Sequence, residues 1–129
     1  MNMEQLKLEM LGKSVWAVVG ATPNQEKFGN KIYKKLKSKG YEVYAVNPNY
    51  DEVEGDRCYH SIEELPVKPD CVDMVVAPPV SKKFIPSIAE AGIKYLWFQP
   101  GSFDDEAISL AEDQGIQTVY HHCVLVALA

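Results

Sequence analysis

Cysteine is scarce and odd in number: Cys58, Cys71 and Cys123 form no C-x-x-C pair. A disulfide framework and the standard cysteine zinc sites are thereby excluded, and reduced thiols suit a cytoplasmic protein. Arginine is scarcer still, with Arg57 alone. The formal net charge is −5, which excludes a general nucleic-acid binder, since such a protein needs a basic face to displace counterions. No apolar run approaches the roughly 20 residues that cross a bilayer, so no membrane partner is expected. The opening stretch MNMEQLKLEML alternates charged and apolar side chains. It is therefore no signal peptide, and it reads as a short amphipathic helix over residues 1–12. Internal repeats, low-complexity tracts and Ser/Gly linkers are all missing.

What is present is 129 residues, 47% apolar and 24% charged, the composition of one soluble domain able to bury a core without staples. Ser14–Val19 (SVWAVV) is a continuous apolar run ending at Gly20, as suits a central strand buried on both faces. Phe28, Ile32, Tyr33 and Leu36 lie at helical spacing between lysines, and Gly40 stops that helix. Tyr41–Val46 is a second strand broken by Asn47-Pro48-Asn49, and Tyr50–Gly55 is an irregular or hairpin-like connection. Ser61 and Glu64 have the spacing of a capping box for a short helix. Val72–Ala77 is a third strand stopped by Pro78-Pro79, followed by a helix over Ser81–Ala91. Lys94–Phe98 is a fourth strand, Asp104–Gln114 a helix with an acidic first turn, and Ile116–Tyr120 a fifth strand. Alternating strands and helices over residues 14–120 predict a three-layer α/β domain. Its five-stranded, mainly parallel sheet carries helices on both faces, and residues 121–129 form a tail.

Ligands on such sheets sit at the carboxyl ends of the strands. Five segments should therefore share one rim: Gly20-Ala21-Thr22, Asn47-Pro48-Asn49, Ala77-Pro78-Pro79, Gln99-Pro100-Gly101 and His121-His122-Cys123. The first of them opens VVGATPNQEKFGN, a turn between strand and helix whose backbone N–H groups suit an anion. Gly20 permits a sharp turn, Thr22 and Asn24 add donors, Lys27 adds charge, and Gly29 permits close backbone approach beside Phe28. The same residues also suit any βα turn of a parallel sheet. The dinucleotide pattern G-x-G-x-x-G is missing, the second strand ends without an acid before Asp51, and no Walker A loop exists. NAD and P-loop chemistry are both disfavoured.

From VVGATPNQEKFGNKIYKKLKSKGYEVYAVNPNYDEVEGDRCYHSIEELP the pattern continues through VDMVVAPP, EAGIKYLWFQPG and GIQTVYHHC. Over residues 10–124 the chain resembles the small CoA-binding domain family, whose fold is similar to the N-terminal domain of the succinyl-CoA synthetase α subunit. The resemblance implies a Rossmann-like domain holding coenzyme A or acyl-CoA by its ADP and diphosphate portion. Carried residue by residue, it implies a site of Gly20, Ala21, Thr22, Asn24, Lys27, Phe28, Gly29, Asn47, Pro48, Asn49, Ala77, Pro78, Gln99, Gly101, His121 and Cys123. Asn47 and Asn49 are compatible with a ribose 3′-phosphate that an acid would repel, and Lys27 or Lys31 could pair with phosphates. Family members often carry Arg in or just after the third strand, where this chain has Lys82 and Lys83.

His121-His122-Cys123, with Cys58 and His60, has the elements of a Cys/His site, but the spacing fits no zinc pattern and no triad orienter is evident. A buried cysteine beside rim histidines is the plainer expectation. The synthetases take their phosphohistidine from a separate domain for which 129 residues leave no room. The expectation is thus a non-catalytic CoA-binding module, alone, as a homodimer or with a partner protein. The alternatives are an NAD(P)-binding regulatory domain and an accessory fragment of an NDP-forming acyl-CoA synthetase. The apolar tail VLVALA needs cover from the sheet or a subunit interface.

Overall fold

A computed structural model describes residues 2–129. Strand β1 (Val15–Val19) is the hub. Its Trp16 and Val18 face one side of the sheet and Ala17 and Val19 the other, and all four are fully buried. Parallel neighbours flank it: β2 (Glu42–Val46) on one side and β5 (Cys71–Met74) on the other. Beyond β2 lie β4 (Asp56–Tyr59) and β3 (Glu52–Val53); beyond β5 lie β6 (Tyr95–Phe98) and β7 (Gln117–Val119). The order is β3-β4-β2-β1-β5-β6-β7. The chain thus builds outward on one side of β1 and then crosses to the other. That reversal opens a crevice above the carboxyl ends of β1 and β5.

Helices cover both faces. On the Trp16 side, α1 (Met3–Leu11) supplies Leu6 and Met10, and α2 (Phe28–Ser38) supplies Ile32, Tyr33 and Leu36. Val124 of the short α5 (Val124–Ala127) completes this layer, which packs on Trp16, Trp97 and Val119. On the other side, α3 (Pro78–Glu90) brings Ile85 and Ile88, and α4 (Asp105–Asp113) brings Ala107 and Ala111, onto Val72, Met74, Leu96 and Phe98.

The sheet has seven strands, not five. The additional pair is an antiparallel hairpin, β3 to β4, inside the stretch read as an irregular or hairpin-like connection and just after it. Its two-residue turn, Glu54-Gly55, has φ of 51° and 79°, the positive pair that matches strand twist. Asn30 Nδ2 donates to Glu54 Oε2 at 2.8 Å, so a tertiary contact holds a glutamate where glycine or asparagine is usual. The capping box at Ser61 does not form: Ser61 makes no side-chain cap bond, and Ile62–Glu64 is a single 3-10 turn. Pro78-Pro79 stand in the first turn of α3 rather than before it, where a missing N–H costs nothing. Val75–Ala77 consequently leave the strand and become loop.

Asp104 is the N-cap of α4: the Ala107 N–H donates to its Oδ1 at 2.8 Å, and Lys82 Nζ lies 2.9 Å from its Oδ2. Asp104→Ala is expected to lower unfolding free energy by about 1 kcal/mol, the usual loss of a side-chain cap, measured by urea denaturation. An unchanged midpoint would mean the cap carries no stability here.

Candidate functional site

β1 ends at Gly20, whose φ of 102° turns the chain out of the sheet. A Cβ there would lie 2.8 Å from Val76 Cγ1 and 2.9 Å from the Val75 carbonyl oxygen. Gly29, in the first turn of α2, lies so close to Gly20 that a Cβ would stand 2.1 Å from the Gly20 carbonyl oxygen. Two glycines therefore bring the start of α2 onto the end of β1. Lys27 is the N-cap of α2 and makes no side-chain cap bond, and the first turn holds no acid. The positive end of α2 thus faces the crevice without a side chain of its own covering it.

Side chains fix the rest of the rim. Asn30, buried, donates to the Thr22 carbonyl at 3.0 Å. Asn47 Nδ2 donates to the Ala21 carbonyl at 2.9 Å while its Oδ1 accepts from the Asn49 N–H at 2.9 Å, so one amide ties the β1 turn to the β2 turn. Gln99 does the same on the far side: its Oε1 accepts from the Val124 N–H at 3.0 Å, and its Nε2 donates to Cys123 Sγ at 3.0 Å.

Together these turns enclose a cleft of about 760 Å³, within the range of small-ligand sites. All five expected segments contribute. Gly20, Thr22, Lys27, Phe28 and Gly29 line it from the first turn, and Asn47 and Asn49 from the second. Ala77, Gln99, Gly101 and Cys123 line it from the others. Five named residues lie off the lining. Ala21 is buried in the core under α2. Asn24 is exposed, its Oδ1 accepting from the Glu26 N–H of its own loop at 3.0 Å. Pro48 is absent from the wall, and Pro78 opens α3. His121, at φ 67°, packs its ring on Phe103 and Tyr120, with centroids 5.1 and 5.2 Å away.

Tyr50, Val75, Val76, Pro100, Ser102, Leu125 and Val126 also line the cleft and are not among the expected site residues. Asp73 has a signal that is readable in the chain, a lone acid in an apolar strand. It lies on central β5 between Val18 and Trp97, is 0% exposed, and neither carboxylate oxygen has a hydrogen-bond partner among the described residues. Burial, then the nearby Cys123, raises its pKa well above the carboxylate range.

The His/Cys cluster does not assemble. His122 Nδ1 meets Lys7 Nζ of α1 at 3.2 Å, and His60 Nε2 meets Asp51 Oδ1 at 2.7 Å. Cys58 is buried, its thiol pushed up to about 11 by desolvation. No group of three or more His, Cys, Asp or Glu among the described residues could hold a metal. Lys82 is engaged by Asp104 and Glu106, and the Arg57 guanidinium sits over the Tyr59 ring, leaving Lys27 as the cation on the described cleft wall.

A family model described as "CoA binding domain" matches residues 14–129. The chain belongs to the CoA-binding domain family. It is 32% identical over 120 residues to an ADP-forming acetate–CoA ligase of Archaeoglobus fulgidus, a match covering 85% of this chain and 18% of that protein. It is 29% identical over 119 residues to the α subunit of an ADP-forming acetate–CoA ligase of Pyrococcus furiosus, covering 84% and 26%. The chain therefore spans only a small part of these curated relatives. A solved structure, a conserved hypothetical protein from Pyrococcus furiosus, superposes with a TM-score of 0.84 at 45% identity, covering 88% of this chain and 98% of that one. Among the described residues no helix is long and apolar enough to cross a membrane.

Gly29→Ala is expected to force the two turns apart and lower stability by about 1–3 kcal/mol, as overpacking does. Gly12→Ala, where a Cβ would meet nothing closer than 3.4 Å, is the near-neutral control. Equal denaturation midpoints would refute the close-approach argument. Asp73 supplies a pH test. Its folded pKa is raised, so above about pH 4, where the unfolded chain has released this proton, the folded chain still holds it. The unfolded state binds fewer protons, and stability falls with rising pH by up to about 1.4 kcal/mol per unit until the folded pKa is reached. Asp73→Asn should flatten the stability profile above about pH 4. An unaltered slope would mean Asp73 is ionised in the fold.

Proposed function

We propose that this chain is a binding module that holds CoA or acyl-CoA across the carboxyl ends of its strands and performs no ligase chemistry itself. One observation carries the proposal. The uncapped positive end of α2, with Lys27 beside it, opens into a cleft whose described wall holds no Asp or Glu. Such a site favours a diphosphate. In this reading the diphosphate rests on Gly20, Thr22 and the Phe28-Gly29 amides, with Ala21 packed beneath them, Asn24 shaping the loop and Lys27 as counter-charge. Asn47 and Asn49 receive the phosphorylated ribose, which an acid at that strand end would repel, and Pro48 joins them from behind the wall. The pantetheine arm crosses Ala77, Gln99 and Gly101 toward Cys123, with Pro78 and His121 outside its path. Membership of the family and the likeness to parts of CoA ligases support the same ligand. The likeness to a ligase α subunit also supports a partner protein as an alternative to a homodimer.

The missing acid after β2 equally suits the 2′-phosphate of NADP, so the two ligands must be compared directly. Calorimetric titration with CoA, 3′-dephospho-CoA, NAD and NADP is expected to rank CoA first, with Lys27→Ala weakening it about tenfold, as losing one charged contact does. Preference for NADP, or heat from none of the four, would sink the proposal.

A further inference from the structure

Helix α2 carries its charge where its own stability disfavours it. Residues 27–39 hold six of the chain's 13 Lys and Arg and no Asp or Glu, in a protein of net charge −5. Lys27, Lys31, Lys34 and Lys35 recur at helical spacing and share the face opposite the buried Ile32, Tyr33 and Leu36. Lys27 is the N-cap, where Ser, Thr, Asp or Asn would bond the free N–H groups, and Lys31 follows one turn on. Cations at the positive end of a helix are unfavourable, and like charges four residues apart repel. Lys27 with Lys31 and Lys31 with Lys35 are both such pairs. Local helix stability does not account for this arrangement.

Ion pairing does not account for it either. Among the described residues Lys37 meets a carboxylate, that of Asp56, while Lys27, Lys31, Lys34 and Lys35 meet none. Lys31 Nζ lies instead 5.8 Å from the centre of the Phe28 ring, and Phe28 is an exposed wall residue of the cleft. The stripe thus begins at the cleft wall with Lys27 and runs down the outside of α2. From Lys27 to Lys35 it covers about 12 Å of helix axis, comparable with the Debye length of about 10 Å at 0.1 M salt. Of the acids on the adjoining turns, Glu54 is bonded by Asn30, Asp51 faces His60, and Glu26 is the exposed acid of the β1 turn itself.

We propose that Lys31, Lys34 and Lys35, outside the cleft, form an electrostatic guide that captures an anionic ligand and delivers it to the cleft, setting how fast it arrives rather than how firmly it is held. The proposal rests on the CoA reading of the cleft. CoA brings three phosphates toward a chain of net charge −5, so the mean field of the molecule repels it. A basic strip beside the mouth reverses that field along one approach and raises the encounter rate. Because the strip lies off the wall it acts before contact, whereas Lys27 acts after it.

The test is stopped-flow binding of fluorescent etheno-CoA at about 20 and about 300 mM salt, which brackets the screening range. The wild-type association rate should fall about tenfold between the two, as steered encounters do. Lys34→Gln/Lys35→Gln should lower that rate about threefold at low salt, weaken its salt dependence, and leave the dissociation rate within about twofold. Glutamine forms helix about as well as lysine, so the thermal midpoint of this variant should not fall. The control, Lys39→Gln/Lys94→Gln, removes the same charge from exposed positions at the amino-terminal end of the sheet and should bind as wild type. Equal association rates for wild type and Lys34→Gln/Lys35→Gln would refute the guide and leave the CoA reading standing. Equal losses in the two double variants would reduce the effect to net charge, and a change confined to dissociation would mark a direct contact; either overturns the guide. If etheno-CoA binds none of the three proteins, the CoA reading falls and the guide with it.

Discussion

The contact between Gly20 and Gly29 is the constraint on which the rest of the architecture hangs. A carbonyl oxygen occupies the space where the Gly29 side chain would begin. Backbone therefore meets backbone, and the axis of α2 is aimed at the end of the hub strand. From that contact follow the placement of the helix dipole, the position of Lys27, and the room left for the β2 and β5 turns to converge. Asn30 and Asn47 then brace the joint by hydrogen-bonding the Thr22 and Ala21 carbonyls. These two carbonyls of the turn thus have donors.

The two sheet faces play different roles. On the α3/α4 face Val72, Met74, Leu96 and Phe98 meet Ile85 and Ile88, and the buried hydroxyls of Ser81 and Thr118 both have hydrogen-bond partners. The α1/α2/α5 face holds the anomalies: the orphaned Asp73, the unpartnered Nε1 of Trp16, and the tail carrying Cys123. Polar groups without partners are tolerated where a fold is organised around something besides its own stability. Among the described residues, the unpartnered buried side-chain atoms all lie on this one face.

Much of this was legible in the chain because parallel α/β folds are written in coarse signals. The run VWAVV and the helical spacing of Phe28, Ile32, Tyr33 and Leu36 located the hub and α2, and parallel strands necessarily bring their carboxyl ends to one rim. What escaped depended on contacts distant in sequence. The β3–β4 hairpin turns on Glu54 at positive φ, stabilised by Asn30 from another element. Pro78-Pro79 signal a stop and a helix start equally well, and only the course of the chain decides. Within the site, the segments could be named but not the direction of each side chain. Asn24 and His121 turn away because a local N–H and two aromatic rings, respectively, engage them first.

The cleft wall runs from Gly20 to Val126, nearly the span of the sheet-forming chain, and its parts meet only when the sheet is complete. No short fragment and no partly folded state can reproduce it. Any occupant therefore binds the native state alone, and its binding free energy is added to folding free energy. At a hundred times its dissociation constant this linkage is worth about 2.7 kcal/mol, a large share of what holds a small domain together. The persistence of such a chain would then track the supply of its ligand, with the empty form the first to be cleared.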